Sequence, residues 1–255
     1  EPELTLRDIV KAGLKPFGIE GISYRGENGF IHNPDRPPLD MDDLPYPAWH
    51  LIDRHRYIMP FTNHPFLLIA TARGCPYSCT FCADTAFYGK KPRLRSPELI
   101  ALEMKWVGER FGIKDFLFWS ESFTLNRDFA ISVALEIKKK DLKVRWVCNS
   151  RVDHVDEDLL IALHEAGCWM IGYGVESGSQ RILDLIEKRA TIEDTRRAVE
   201  ISRKAGIGIV AHCVLGFPGE TEEEILATIT FVKSLDIDFA QFYCAVPFPG
   251  SALYK

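Results

Sequence analysis

The feature that most constrains this chain is a rhythm that begins near Pro65: short apolar runs alternate with longer amphipathic stretches to the end of the sequence. Phe66-Leu67-Leu68-Ile69-Ala70 opens it as a buried strand. Further strands are predicted at 115–119, 144–148, 169–175, 207–215 and 237–244, and helices at 96–110, 126–139, 156–165, 179–186, 191–204 and 221–233. Ser96, Pro97 and Glu98 suit a helix start, since the first turn has donors to cap and needs no N–H from proline. Gly167 suits a helix stop. Six strands separated by helices imply parallel pairing through right-handed crossovers. Near-continuous apolar strands imply a sheet covered on both faces. Periodicity leaves open a doubly wound sheet or a complete or partial barrel.

The first sixty or so residues differ. Residues 4–12 suit a short helix, and Gly18, Gly21, Gly26 and Gly29 suggest turns around short strands. Asn33-Pro34-Asp35-Arg36-Pro37-Pro38 and Leu44-Pro45-Tyr46-Pro47 remove backbone donors and exclude regular helix or central strand. The expected organisation is an irregular extension over 1–62, lying across a neighbouring surface after a missing upstream domain, and a core domain over 63–255 that is open to truncation at its C-terminus. The chain does not begin with Met, and the expectation is a piece of a longer protein.

With 255 residues, 46% of them apolar, the chain can bury a substantial core. No apolar run is long enough to span a membrane. The net charge of -5 argues against a general basic field for nucleic acid. Seven cysteines, three of them within eight residues, fit a reduced cytoplasmic protein with a metal site better than an extracellular disulfide framework.

Those three lie in Arg73-Gly74-Cys75-Pro76-Tyr77-Ser78-Cys79-Thr80-Phe81-Cys82, directly after the first strand. Three thiolates so close can converge on one metal centre. A structural zinc site wants a fourth ligand, and no second Cys-x-x-Cys or His pair follows. A cubane cluster normally takes four cysteines, so three would leave one iron free to bind something else. Cys148, Cys168, Cys213 and Cys244 stand singly and suit the role of small apolar residues.

Cys-x-x-x-Cys-x-x-Cys after the first strand of a repeated β/α domain, with the aromatic Phe81 before the last cysteine, resembles the signature of the radical S-adenosylmethionine (SAM) superfamily. The resemblance covers about residues 65–250. It implies an α/β fold, a (β/α)6 partial TIM-type barrel, behind the irregular N-terminal extension. It implies a [4Fe-4S] cluster on Cys75, Cys79 and Cys82, with the fourth iron chelated by SAM. Reductive cleavage of SAM to a 5′-deoxyadenosyl radical would follow, with the electron drawn from a donor such as flavodoxin or ferredoxin.

In parallel α/β folds chemistry collects at the C-terminal strand ends. Period-two alternation puts Gly172, Gly174 and Glu176 on one face, where a carboxylate beyond two glycines could meet a ribose or an ammonium group. The alternative is a helix-capping segment, given Ser177 and Ser179. The resemblance supports contact of Glu176 and Ser177 with the SAM ribose. It places Glu121 where relatives carry Gly-Gly-Glu toward the SAM amino group, although this chain has Ser-Glu-Ser. It makes Ser150 and Arg151 candidates for the SAM carboxylate or ribose, and packs Val214, Leu215 and Gly216 against adenine. Gly216-Phe217-Pro218-Gly219-Glu220 lacks the pattern of a phosphate loop. The run Lys90, Lys91, Arg93 and Arg95 reads as a solvated loop, or as a contact for the SAM carboxylate or an acidic donor.

The N-terminal segment, through Gly21-Ile22-Ser23-Tyr24-Arg25 and Leu44-Pro45-Tyr46-Pro47, together with Pro247-Phe248-Pro249-Gly250, is similar to radical SAM proteins that carry a cobalamin-binding domain. The resemblance implies a cobalamin-linked methyltransferase or cyclase whose cobalamin domain is not in this chain. Alternatives are a cobalamin-independent, methylthiotransferase-like enzyme, or a non-catalytic iron–sulfur or zinc protein. An open barrel permits a bulky small-molecule or lipid-like substrate.

Overall fold

The computed structural model describes residues 2–60 and 62–255; Glu1 and Phe61 lie outside the described residues. The chain clusters into two compact units, Glu1–Asp43 and Leu44–Lys255. In the first, helix α1 (Pro2–Lys11) precedes an antiparallel hairpin of β1 (Ser23–Gly26) and β2 (Gly29–His32). Arg36 ties the unit together by donating to Thr5 Oγ1 at 3.1 Å and to Asp8 at 2.7 Å.

The second unit holds a six-stranded parallel sheet. In sheet order its strands are β3 (Phe66–Ala70), β6 (Asp115–Trp119), β7 (Arg145–Ser150), β8 (Cys168–Glu176), β9 (Gly208–Leu215) and β10 (Phe239–Cys244). Helices α3 (Pro97–Phe111), α4 (Arg127–Lys139), α5 (Glu157–Glu165), α6 (Gln180–Leu185), α7 (Ile192–Lys204) and α8 (Glu222–Lys233) form the crossovers. Between β3 and α3, a two-residue ladder of β4 (Ala72–Arg73) with β5 (Arg93–Leu94) brackets the short helix α2 (Asp84–Tyr88).

Strand order resolves what periodicity left open. A doubly wound sheet reverses order at a switch point, whereas here each strand pairs with the next in sequence. The winding is that of a TIM-type barrel, left open with β3 and β10 as edges. Elements missed from sequence are the small ones, α2 and the β4–β5 ladder, whose pairs are too short to show a period.

Between sheet and helices lies a continuous core. Phe118 stacks on Trp146 with centroids 4.4 Å apart, and the Trp146 indole donates to the Ala166 carbonyl at 2.9 Å. Thr191–Asp194 and Thr221–Glu224 form reciprocal capping boxes that start α7 and α8. Ser96 takes the N-cap position of α3 but makes no capping bond with its side chain. Residues from Leu44 onward lie over this unit: Tyr46 packs on Trp106 and the Arg54 guanidinium sits 4.3 Å over the Phe111 ring.

Gly167 turns the chain from α5 into β8 at φ +97°, and a Cβ there would run into the Val144 carbonyl. Neither the backbone angle nor the backbone carbonyl that leads into β7 can yield cheaply. Gly167→Ala is expected to cost about 2–3 kcal/mol, read as a lower urea midpoint at unchanged slope.

Candidate active site

The cysteine loop leaves β4 at Gly74, whose φ of +96° lets the backbone press against the Lys91 carbonyl. Side-by-side anchoring holds the loop: Thr80 N–H donates to Ile186 at 3.0 Å, and Cys82 N–H donates to Cys79 at 3.0 Å. Cys75, Cys79 and Cys82 all line one cavity of about 210 Å³ at the C-terminal edge of the sheet. They are partly buried and free of disulfides. Burial pushes all three thiols up, Cys82 to about 12, while the cations of Lys188 and Arg151 pull Cys79 back toward thiolate. No group of three His, Cys, Asp or Glu side chains among the described residues is gathered as a single-ion site.

Facing the cysteines are Glu121, Asn149, Glu176, Lys188 and His212, over a wall that has two glycines. A Cβ on Gly172 would fall 2.6 Å from Asn149 Oδ1 and 2.7 Å from His212 Nε2. One on Gly174 would fall 2.6 Å from Glu176 Oε1 and 2.7 Å from Lys188 Nζ. The glycines therefore make room for two polar pairs that converge on the cavity floor. Glu176 and Lys188 form an ion pair at 2.6 Å, with side chains 9% and 7% exposed.

Glu176 reaches the cavity by a different route from the alternation used in sequence. A bulge shifts the register between Gly174 and Glu176, and Glu176 itself has φ +64°. Bulges re-aim side chains, and a left-handed glutamate is a strained conformation of the kind found at functional sites. Glu121 is half-buried in the cavity wall; burial raises its pKa, opposed by backbone N–H groups that include that of Gly74.

Other expected contacts sit elsewhere or are already committed. Ser177 is fully buried, paired with Thr228 Oγ1 at 3.1 Å, and faces α8. Ser150 lines the cavity, but its hydroxyl bonds to Thr124 and to the Arg151 carbonyl. Arg151 spends its donors on Asp153, the Lys188 carbonyl and Cys79. Val214 packs with Phe81 against Ile182, Leu183, Ile186 and Phe217, and Gly216 N–H is held by Glu220. Leu215 ends β9 half-buried beside them. Of the basic run, Lys90 and Lys91 are exposed, while Arg95 is buried against Glu103 beneath α3 and is no solvated loop residue.

Sequence reading missed Lys188 and His212. Lys188 lies between Glu187 and Arg189, at φ +53° and +55°, and this double left-handed bend returns it to the cavity. No local periodicity signals that. His212 shares a face of β9 with Val214, so alternation could have found it. A larger cavity of about 440 Å³ lies at the opposite, N-terminal strand ends, between Arg54, His64, Phe111 and Asp115. Its one buried carboxylate, Asp115, is taken by Arg145 at 2.7 Å, and it holds no cysteine.

The family model for the radical SAM superfamily matches residues 69–232, from β3 to α8, including the whole cysteine loop. The chain belongs to the radical SAM superfamily. An uncharacterized methyltransferase of Pyrococcus horikoshii is 39% identical over all of this chain and 56% of its own length. An anaerobic magnesium-protoporphyrin IX monomethyl ester cyclase of Rubrivivax gelatinosus is 30% identical over 93% of this chain and 43% of its own length. This radical SAM chain thus spans about half the length of the curated relatives it matches. Among solved structures, the radical SAM methyltransferase TsrM from Kitasatospora setae, with cobalamin and a [4Fe-4S] cluster bound, superposes with a TM-score of 0.78 at 23% identity. That alignment covers 97% of this chain and 50% of TsrM, and it speaks for the fold. No described helix is long and apolar enough to cross a membrane.

Proposed function

We propose that this radical SAM chain is the core of a methyltransferase or cyclase related to the cobalamin-dependent members. In this reading Cys75, Cys79 and Cys82 hold a [4Fe-4S] cluster and SAM lies between them and the Gly172–Gly174 wall. The observation that carries it is the pairing of three thiols with a glycine-cleared polar floor in one cavity. The donor set fits the group: three thiols line one cavity, a count that leaves one iron of a cubane open, whereas a structural zinc wants four protein ligands. When bound, cluster and SAM together supply reductive cleavage of the SAM sulfonium, at the expense of one electron from a low-potential donor of the flavodoxin or ferredoxin kind.

The chain's own residues do the rest. Burial holds the Cys79 thiol up, and the nearby cations of Lys188 and Arg151 oppose that shift. Glu176, offered in the cavity beside Lys188, supplies a carboxylate for a ribose diol, and the ammonium of Lys188 can meet an α-carboxylate. Glu121 presents a carboxylate for an α-ammonium group. Phe81 and Phe217, 5.6 Å apart, form an apolar shelf beside Val214 against which an adenine can pack. Cobalamin would come through a domain outside this chain.

Anaerobic reconstitution with iron and sulfide, followed by dithionite and SAM, tests the reading. Release of 5′-deoxyadenosine is expected. A folded, fully cluster-loaded protein that releases none would sink the SAM-cleavage assignment.

A further inference from the structure

Arg151 is the most committed cation of the site. Its side chain is 6% exposed. Nε and Nη2 donate to the two oxygens of Asp153 at 2.9 and 2.8 Å, and Nη2 also donates to the Lys188 carbonyl at 2.6 Å. The guanidinium carbon lies 3.7 Å from the centroid of the Tyr77 ring, which belongs to the cysteine loop. Nη1 points at the Cys79 sulfur, 4.0 Å away. The Tyr77 hydroxyl is held in turn by His154 Nε2 at 2.5 Å. One planar group thus clamps the Cys75–Cys79 stretch by stacking, is pinned from behind by a carboxylate, and turns its free edge to a sulfur.

We propose that Arg151 is a positioning residue for the cysteine loop whose fixed charge makes the cluster easier to reduce, and that Asp153 offsets that charge. The inference rests on the cluster assignment above. Adding one electron makes a cluster more negative by one charge, with no bond made and no proton moved. A cation against a ligand sulfur stabilises the reduced form more than the oxidised one, and cluster potentials respond to nearby charge and to hydrogen bonds at sulfur. Burial leaves the guanidinium little solvent to screen it. The anchoring carboxylate lies on the far side of the guanidinium, so its removal leaves the cation in place and less neutralised.

The test is an anaerobic redox titration of reconstituted protein with titanium(III) citrate, followed by electron paramagnetic resonance at matched iron and sulfide content. At the wild-type midpoint, Arg151→Met should lower the reduced-to-oxidised ratio about tenfold, equivalent to 59 mV for a one-electron couple. Arg151→Lys, which keeps the charge, should stay within about threefold of wild type. Asp153→Asn should move the ratio the other way. A purely structural clamp would shift both variants in one direction or change only cluster content. An unchanged ratio in loaded Arg151→Met, or parallel shifts, overturns the proposal. If Arg151→Met takes up no cluster, Asp153→Asn decides alone: a raised ratio supports the proposal, and an unchanged or lowered one refutes it. Wild-type iron content reads the cluster assignment separately, since absent iron there would end that assignment before any potential is measured.

Discussion

Cys79→Ala is expected to fall from about four irons per chain after reconstitution to background, and to form no measurable 5′-deoxyadenosine. The reason is ligand count. Three thiols line the cavity, and Cys148, Cys168, Cys213 and Cys244 do not. Lys188 and Arg151 bring positive charge toward Cys79, opposing the burial that pushes its thiol up. Its removal should cost the apoprotein little, about 1 kcal/mol or less, because the loop is tied by backbone N–H donors of Thr80 and Cys82, the latter to the residue 79 carbonyl that alanine keeps. Far-ultraviolet circular dichroism should therefore be unchanged while iron is lost. Cys148→Ala makes the control. Cys148 is 1% exposed, on β7 with its side chain in the core, and does not line the cavity, so its loss should lower stability and leave iron content intact. Retention of about four irons by Cys79→Ala would remove Cys79 from the ligand set.

The barrel was legible because its strands are apolar on both faces and its helices carry caps and stops at their ends. Every large element from β3 to β10 falls within a few residues of its predicted span. The cysteine loop was legible for a different reason: thiols four and three residues apart have few other uses. Legibility failed where the chain leaves regular geometry. The bulge before Glu176 breaks the period-two phase, so that residue was found by assuming an alternation that the strand does not keep. Ser177, beside it, was swept along and faces α8 instead. Lys188 enters the cavity between two departures into left-handed backbone, one on each side of it, that no residue type announces, since Glu187 and Arg189 are not turn formers. Arg95 reads as solvated in a basic run, yet it is buried by a partner, Glu103, that lies one helix onward. Backbone strain and long-range pairing carry the missing information.

Lys188→Met is expected to lose both stability and SAM binding, and a second substitution should separate the two losses. The pair with Glu176 is almost wholly buried. Taking away the ammonium leaves a carboxylate without its counter-charge on the cavity floor, at a cost of about 3–5 kcal/mol. Glu176→Leu combined with Lys188→Met removes both charges. Two apolar side chains of similar bulk should then restore most of that stability, since replacing a buried pair as a unit is often neutral or favourable. The left-handed backbone at residue 176 limits the recovery, because leucine fits it worse than the strain-bearing glutamate that hydrogen bonding holds there. A ligand-binding role predicts no such recovery for SAM. Both the single and the double variant should bind SAM at least tenfold more weakly than cluster-loaded wild type, measured by equilibrium dialysis. Gly174→Ala gives the same reading without touching charge: its methyl group would crowd Glu176 Oε1 and Lys188 Nζ, the far ends of flexible side chains, so the fold should hold while the floor closes. If the double variant recovers stability and also binds SAM as wild type does, the ion pair is a structural brace, and the wall above Gly174 is not where the nucleoside lies.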